Sequence, residues 1–258
     1  MKTYESASLF LQKKVNMNNT TAPVENRSSP VDYDPALSGN YPFLAVDHYI
    51  NDLFVTEDNA LQAATKSIAA AGIPDASITS NQGFFLQLMA RLVRAARILE
   101  IGTFGGYSTI WLARSLTRTG RLITMEFNPV HAALSATNIK AAGLDDVVDL
   151  RTGRALDLLP ALQQESPEPF DMIFIDADKP PYAEYFQWAL QLSRPGTVLI
   201  FDNVIREGHV LDENSTDEAV KGVQRLNKLL ASDPRVMATI VPSIGLKKFD
   251  GMAIAVVK

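Results

Sequence analysis

From Arg97 onward the sequence alternates short apolar runs with helical stretches, and this alternation restricts the chain to strand–helix–strand units in a largely parallel sheet. The runs are Ile98–Ile101, Leu122–Met125, Val147–Leu150, Met172–Ile175, Val198–Phe201, Met237–Val241 and Met252–Val257, which predicts about seven strands. Helical segments separate all but the last pair. The short connection Pro242–Gly251 therefore predicts that those two strands run antiparallel. Asn128 followed by Pro129 marks a helix start, and Gly143 its end.

Upstream, three helices are expected: about Asp47 to Phe54, then Thr56 to Ala71 with Thr56 as N-cap and Gly72 as stop, then about Gln82 to Ala95. Residues 17 to 40 are rich in Asn, Thr, Ser and Pro without an apolar period. Residues 1–40 are thus expected to form a flexible arm, and 41–258 the folded domain.

Composition narrows the partners. The net charge is -5, from 24 basic and 29 acidic residues, with no dense basic cluster to track a phosphate backbone, so nucleic acid is not an expected partner. There are no cysteines, which excludes disulfides, thiolate metal sites and Cys nucleophiles. Any metal must sit on oxygen or His, and His48, His131 and His209 lack ligand spacing. No apolar run is long enough to span a bilayer, so a soluble cytoplasmic protein is expected. The mildly basic stretch Lys2–Lys14 leaves organelle targeting as the alternative.

Three places along the parallel region carry candidate chemistry. After the first strand comes Glu100-Ile101-Gly102-Thr103-Phe104-Gly105-Gly106-Tyr107-Ser108, a glycine-rich turn into a helix, where backbone approaches a ligand closely and free N–H groups face it. It implies a nucleotide-like ligand, or else only tight packing. Phe104 stands where the dinucleotide fingerprint needs its second glycine. The second strand ends at Glu126, suited to accept hydrogen bonds from two ribose hydroxyls, or to sit at a helix start for its dipole. The fourth strand ends at Asp176 and the fifth at Asp202-Asn203. If these strands are neighbours, two carboxylates and an amide converge at the carboxyl edge of the sheet, an oxygen set suited to Mg²⁺, or to Mn²⁺ or Ca²⁺; otherwise Asp176 caps a helix and Asp202-Asn203 forms a turn.

From about Tyr41 to the C-terminus the chain resembles the caffeoyl-coenzyme A and catechol O-methyltransferase family, through Gln82-Gly83, Leu99–Ser108, Phe174–Lys179, Phe201–Asn203 and Phe249–Gly251. The resemblance implies a Rossmann-like class I methyltransferase fold that uses S-adenosylmethionine (SAM) and a divalent cation to methylate a small catechol-type phenol. By resemblance, Glu100, Gly102, Thr103 and Ser108 surround the methionine moiety, Glu126 the ribose and Ala155 the adenine. Asp176, Asp202 and Asn203 hold the metal, with Asp176 also bordering the donor. Lys179 matches the catalytic lysine of that family; a cation beside it lowers its pKa toward the neutral base. A homodimer is implied as well. One departure stands out, since the family usually has Asn two residues after this lysine and Pro181 occupies that place.

Pro180-Pro181-Tyr182 also resembles part of the motif of amino methyltransferases, but Lys179 stands where that motif needs an acceptor of the target N–H. N-methylation of a small molecule is therefore the alternative enzyme reading. A catalytically silent binding protein is the other, opposed by the joint presence of Glu100, Glu126, Asp176, Lys179, Asp202 and Asn203.

Overall fold

A computed structural model describes residues 43–258 except 75, 166, 246 and 247; the expected arm 1–40 lies outside the described residues. The described chain runs α1 (Phe43–Phe54), α2 (Asn59–Ala70), α3 (Ser80–Leu92), β1 (Arg97–Ile101), α4 (Tyr107–Ala113), β2 (Arg121–Glu126), α5 (Pro129–Ala141) and β3 (Val148–Thr152). It continues through α6 (Ala155–Glu165), β4 (Phe170–Ile175), α7 (Tyr182–Gln191), β5 (Ser193–Phe201), a 3₁₀ turn (Arg206–Leu211), α8 (Glu218–Ser232), β6 (Val236–Gly245) and β7 (Lys248–Val257).

All seven expected strands join one sheet in the order β3-β2-β1-β4-β5-β7-β6. The first five run parallel, and β7 pairs antiparallel with both β5 and β6. Alternate residues of each strand feed opposite faces, as the two-residue period of a strand requires. Leu99, Ile123 and Ile173 pack with Leu159, Phe186 and Leu226 of α6, α7 and α8. Ile98, Leu122 and Phe174 pack on the other side with Leu61, Leu86 and Ile110 of α2, α3 and α4. The two-faced α/β architecture expected from the sequence is the one observed.

Local boundaries depart from expectation where a stronger local partner exists. Asp58, not Thr56, caps α2: its carboxylate accepts from Ala60 N at 3.2 Å and Leu61 N at 3.1 Å, and it also pairs with Arg114 at 2.5 Å. A charged acceptor facing the positive end of the helix outcompetes a hydroxyl. The start of α3 is fixed by a reciprocal Thr79–Gln82 capping box, and the helix ends at Leu92 rather than Ala95, with Arg94 turning to φ +52°. The expected loop Pro242–Gly251 is mostly strand, because the β6–β7 pairing continues through Pro242 opposite Gly251 to Gly245 opposite Lys248. Among the described residues no helix is long and apolar enough to cross a membrane.

The strand order reverses direction between β1 and β4, and ligands of α/β sheets bind where such a reversal opens a crevice at the carboxyl edge. The chain leaves β1, β4 and β5 side by side there. Asp176 N donates to Ile101 O at 2.9 Å and Asp202 N to Ile175 O at 3.0 Å, so the residues beyond each strand stay in register.

Candidate active site

A cavity of about 670 Å³ opens at this reversal, and its wall contains Gly102, Thr103, Ser108, Glu126, Ala155, Asp176, Lys179 and Asn203. The glycine-rich turn reaches it because Gly102 adopts φ +99° and its missing Cβ would stand 2.0 Å from the Asp176 carbonyl oxygen. Only glycine allows β1 and β4 to release their chains this close together.

Glu126 holds the turn from β2. Its Oε2 accepts from Thr103 N at 3.2 Å and Phe104 N at 2.7 Å, and its Oε1 accepts from Asn128 N at 2.8 Å. Two carboxylate oxygens offer about four acceptor directions, so capacity remains on the cavity side. His131, also in the wall, sits 3.8 Å from Oε1 and edge-on to Phe104.

Glu100 is placed differently from the expectation that it surrounds the donor. It is fully buried and absent from the cavity wall. Its carboxylate accepts from Ser108 Oγ at 2.6 Å, Thr109 Oγ1 at 2.5 Å and Thr124 Oγ1 at 2.7 Å. Because Thr124 spends its proton on Glu100, the 2.5 Å contact between Thr103 and Thr124 hydroxyls must have Thr103 as donor. Glu100 thereby organises two wall residues, Thr103 and Ser108, from behind. Burial pushes its carboxyl up to about 7, against the three hydroxyl donors that favour the ionised form.

The acidic end is built by β4 and β5. Lys179 Nζ donates to Asp176 Oδ1 at 2.9 Å and to the Tyr182 hydroxyl at 2.7 Å. Burial by itself would lower the Lys179 pKa; the Asp176 carboxylate and the Tyr182 oxygen outweigh it and hold the amine above the ordinary lysine range. The expected neutral base is therefore an ammonium in this ion pair. Asp202 is nearly closed off, at 3% exposure, and is not in the cavity wall, whereas Asn203 beside it is. Burial, then the neighbouring Asp176 carboxylate, drives the Asp202 pKa upward, with Lys179 pulling the other way. Asn203 takes φ +57°, a left-handed turn directly after the strand. That loop is tied down by Asp250 Oδ1, which accepts from Ile205 N, Arg206 N and Gly251 N at 2.9, 3.1 and 2.9 Å.

The donor set fits a hard cation. Two carboxylates lie close enough for one to destabilise the ionised form of the other, and the third member is an amide oxygen. Among the described residues no three His, Cys, Asp or Glu side chains group as a metal set; a cation here would need the amide of Asn203 beside the two carboxylates.

Sequence reasoning missed Tyr182, Asp178, Tyr185 and Asp250. Asp178 and Tyr185 line the cavity, and the Tyr185 hydroxyl donates to Asp178 Oδ1 at 2.7 Å. Tyr182 lies three residues after Lys179, inside the run Pro180-Pro181-Tyr182, whose likeness to an amino-methyltransferase motif masks its contact with the lysine. Pro181 lines the cavity and stands at the N-cap of α7 with no side-chain hydrogen bond.

A family model described as O-methyltransferase matches residues 52–256. The chain belongs to the O-methyltransferase family. A catechol O-methyltransferase of Niastella koreensis is 59% identical over 219 residues, covering 85% of this chain and 99% of the relative. One of Mycobacterium tuberculosis is 42% identical over 213 residues, covering 83% and 95%. Among solved structures, an O-methyltransferase of Bacillus cereus in complex with SAH superposes with a TM-score of 0.82 at 50% identity, covering 84% of this chain and 98% of that one. TomG of Streptomyces achromogenes, in complex with SAM, does so at 0.83 and 44%, covering 86% and 100%. The O-methyltransferase family bears out the resemblance read from the motifs and sets aside the amino-methyltransferase and silent-protein readings.

Proposed function

We propose that this O-methyltransferase transfers the methyl group of SAM to one hydroxyl of a small catechol-type phenol, with a divalent cation, Mg²⁺ before Mn²⁺ or Ca²⁺, held by Asp176, Asp202 and Asn203. One observation carries the reading: a single cavity joins the glycine-rich turn and Glu126 at one end to Asp176, Lys179 and Asn203 at the other. Solved relatives bind SAM and SAH, and curated relatives act on catechols by name.

The donor supplies an electrophilic methyl on its sulfonium, and a bound cation would lower the pKa of a chelated phenol hydroxyl. The chain's part is placement. Glu126 offers its remaining acceptor direction to a ribose hydroxyl from a carboxylate fixed by three backbone N–H groups, and Thr103 and Ser108 border the methionine end. Lys179 Nζ is the group that takes the hydroxyl proton. It does so from its neutral form, which the ion pair with Asp176 opposes; drawing that carboxylate away favours the neutral amine. The acceptor oxygen then forms a bond to the methyl carbon as the carbon–sulfur bond breaks, and its electron pair stays on sulfur. With the reactants aligned in one cavity, positioning supplies much of the rate. We take the working unit to be a homodimer, for which light scattering is expected to give twice the 28.3 kDa chain mass.

The test is methylation of catechols and matched monophenols by metal-stripped protein. Excess chelator is expected to abolish catechol methylation, and Mg²⁺ or Mn²⁺ to restore it, with monophenols poor throughout because they lack the second oxygen. Equal turnover of both acceptors in chelator would overturn the cation and catechol parts of the reading while leaving O-methylation in place.

A further inference from the structure

Lys179 is held by two partners of different kinds. Asp176 is charged and belongs to the candidate cation set, so a cation there competes for the carboxylate that now holds the amine. Tyr182 is neutral and belongs to the frame. Its ring is fully buried, 5.8 Å from that of Phe201 and 6.3 Å from that of Tyr185. Its hydroxyl donates to the Asp202 carbonyl at 3.0 Å, with Ile175 O at 3.3 Å, and accepts from Lys179 Nζ at 2.7 Å.

One phenol oxygen therefore connects the amine to the exit of β5 and lies beside the exit of β4. Because its own proton is committed to a backbone carbonyl, the hydroxyl meets the amine as an acceptor. This bond ties Nζ to a ring fixed by packing and does not involve the Asp176 carboxylate, so it remains when that carboxylate is engaged elsewhere.

We propose that Tyr182 is a positioning residue that holds Lys179 Nζ at the cavity when Asp176 is engaged by the cation. It acts through the lysine and touches neither donor nor acceptor. Near-attack alignment is sensitive to displacements of about 1 Å, and an amine without this anchor would follow Asp176 or swing within its four-carbon chain. The proposal rests on the reading that Lys179 takes the hydroxyl proton.

A double-mutant cycle tests it, with kcat and KM measured for a catechol at saturating SAM and Mg²⁺, and SAM affinity measured by calorimetry as the check on folding. Lys179→Met is expected to lower kcat by about 100-fold or more. Tyr182→Phe should lower kcat by about 10-fold with KM and SAM affinity within about 2-fold, since the ring packing is kept and only the anchor is lost. The double variant should match Lys179→Met. Wild-type kcat in Tyr182→Phe, or the same fold-loss from Tyr182→Phe in both backgrounds, overturns the positioning role. Wild-type turnover in Lys179→Met instead overturns the reading of the lysine, and the proposal with it. If Tyr182→Phe alone does not fold, the double variant removes the buried amine together with the hydroxyl that held it. Its kcat against that of Lys179→Met still decides: equal values support the proposal, and a lower value in the double variant overturns it.

Discussion

Glu100 shows how one buried carboxyl can tie stability to pH. Its pKa is about 7 in the fold, against an ordinary value of 4.5, because burial penalises the charge more than three hydroxyl donors favour it. The folded protein thus binds more protons than the unfolded chain between these values. The stabilisation is complete below about pH 4.5 and is lost as pH rises through 7, on the order of 3 kcal/mol over the window. Glu100→Gln removes the titration. Measured without cation from pH 5 to 8, the stability of the wild type relative to this variant is expected to fall as pH rises; parallel curves would show that Glu100 titrates normally. Glu126 gives a complementary test, because its carboxylate lines the cavity. Glu126→Ala should weaken SAM binding by on the order of 1.5–3 kcal/mol in calorimetry, the loss of a charge-assisted contact. The sequence put Glu100 at the head of the glycine-rich turn and Glu126 at the end of the second strand, and the resemblance placed both at the donor. Which one faces the ligand depends on the turn of Gly102 and on hydroxyls from α4 and β2 that meet only in the fold.

At the scale of elements, two glycines let helices pack as closely as they do. On α8, a Cβ at Gly222 would stand 2.1 Å from the Lys179 carbonyl oxygen and 2.8 Å from Pro180 Cα. Arg225 of the same helix donates to Pro180 O at 2.7 Å. On α3, a Cβ at Gly83 would stand 2.3 Å from the Trp111 ring of α4. Either alanine overpacks a buried contact and is expected to cost about 1–3 kcal/mol. Their effects on turnover should differ. Gly222→Ala pushes on the backbone that carries Lys179 and should lower kcat by about 10-fold in the folded enzyme, whereas Gly83→Ala should lower the melting temperature and leave kcat near wild type. Equal kcat in both variants would disconnect α8 from the catalytic segment. The strands were legible because apolar runs broken by helices impose a period that survives without tertiary knowledge. Cap choices were less so: Asp58 wins over Thr56 through Arg114, a residue 56 positions away. The continuation of β6 and β7 past Pro242 was hidden as well, since proline is tolerated on an edge strand and β6 is one.

At the scale of the whole molecule, the carboxyl edge of the sheet stores unfavourable charge, an arrangement that the proposed cation would relieve. Asp176 and Asp202 leave neighbouring strands, the second almost entirely buried, and the Lys179 ammonium beside them offsets one of the two negative charges. Removing one of those charges without changing shape should therefore stabilise the cation-free fold. Asp202→Asn keeps a side-chain oxygen that can accept from Asn203 N, now at 2.8 Å, and keeps the backbone carbonyl that accepts from Tyr182. It lowers the repulsion and the burial penalty together. The expected result is a melting temperature several degrees above wild type in chelator, since about 1 kcal/mol moves a domain of this size by roughly 2–4 °C. Adding Mg²⁺ or Mn²⁺ should then reverse the order. The wild type gains stability from a ligand that binds only the folded state, and the variant gains little because one carboxylate and two amides hold a hard dication poorly. Methyl transfer need not be measured, so the cation site can be judged apart from the chemistry. If cation raises the melting temperatures of wild type and Asp202→Asn equally, Asp202 is not a ligand, and the charge at this edge serves the Lys179 ion pair alone.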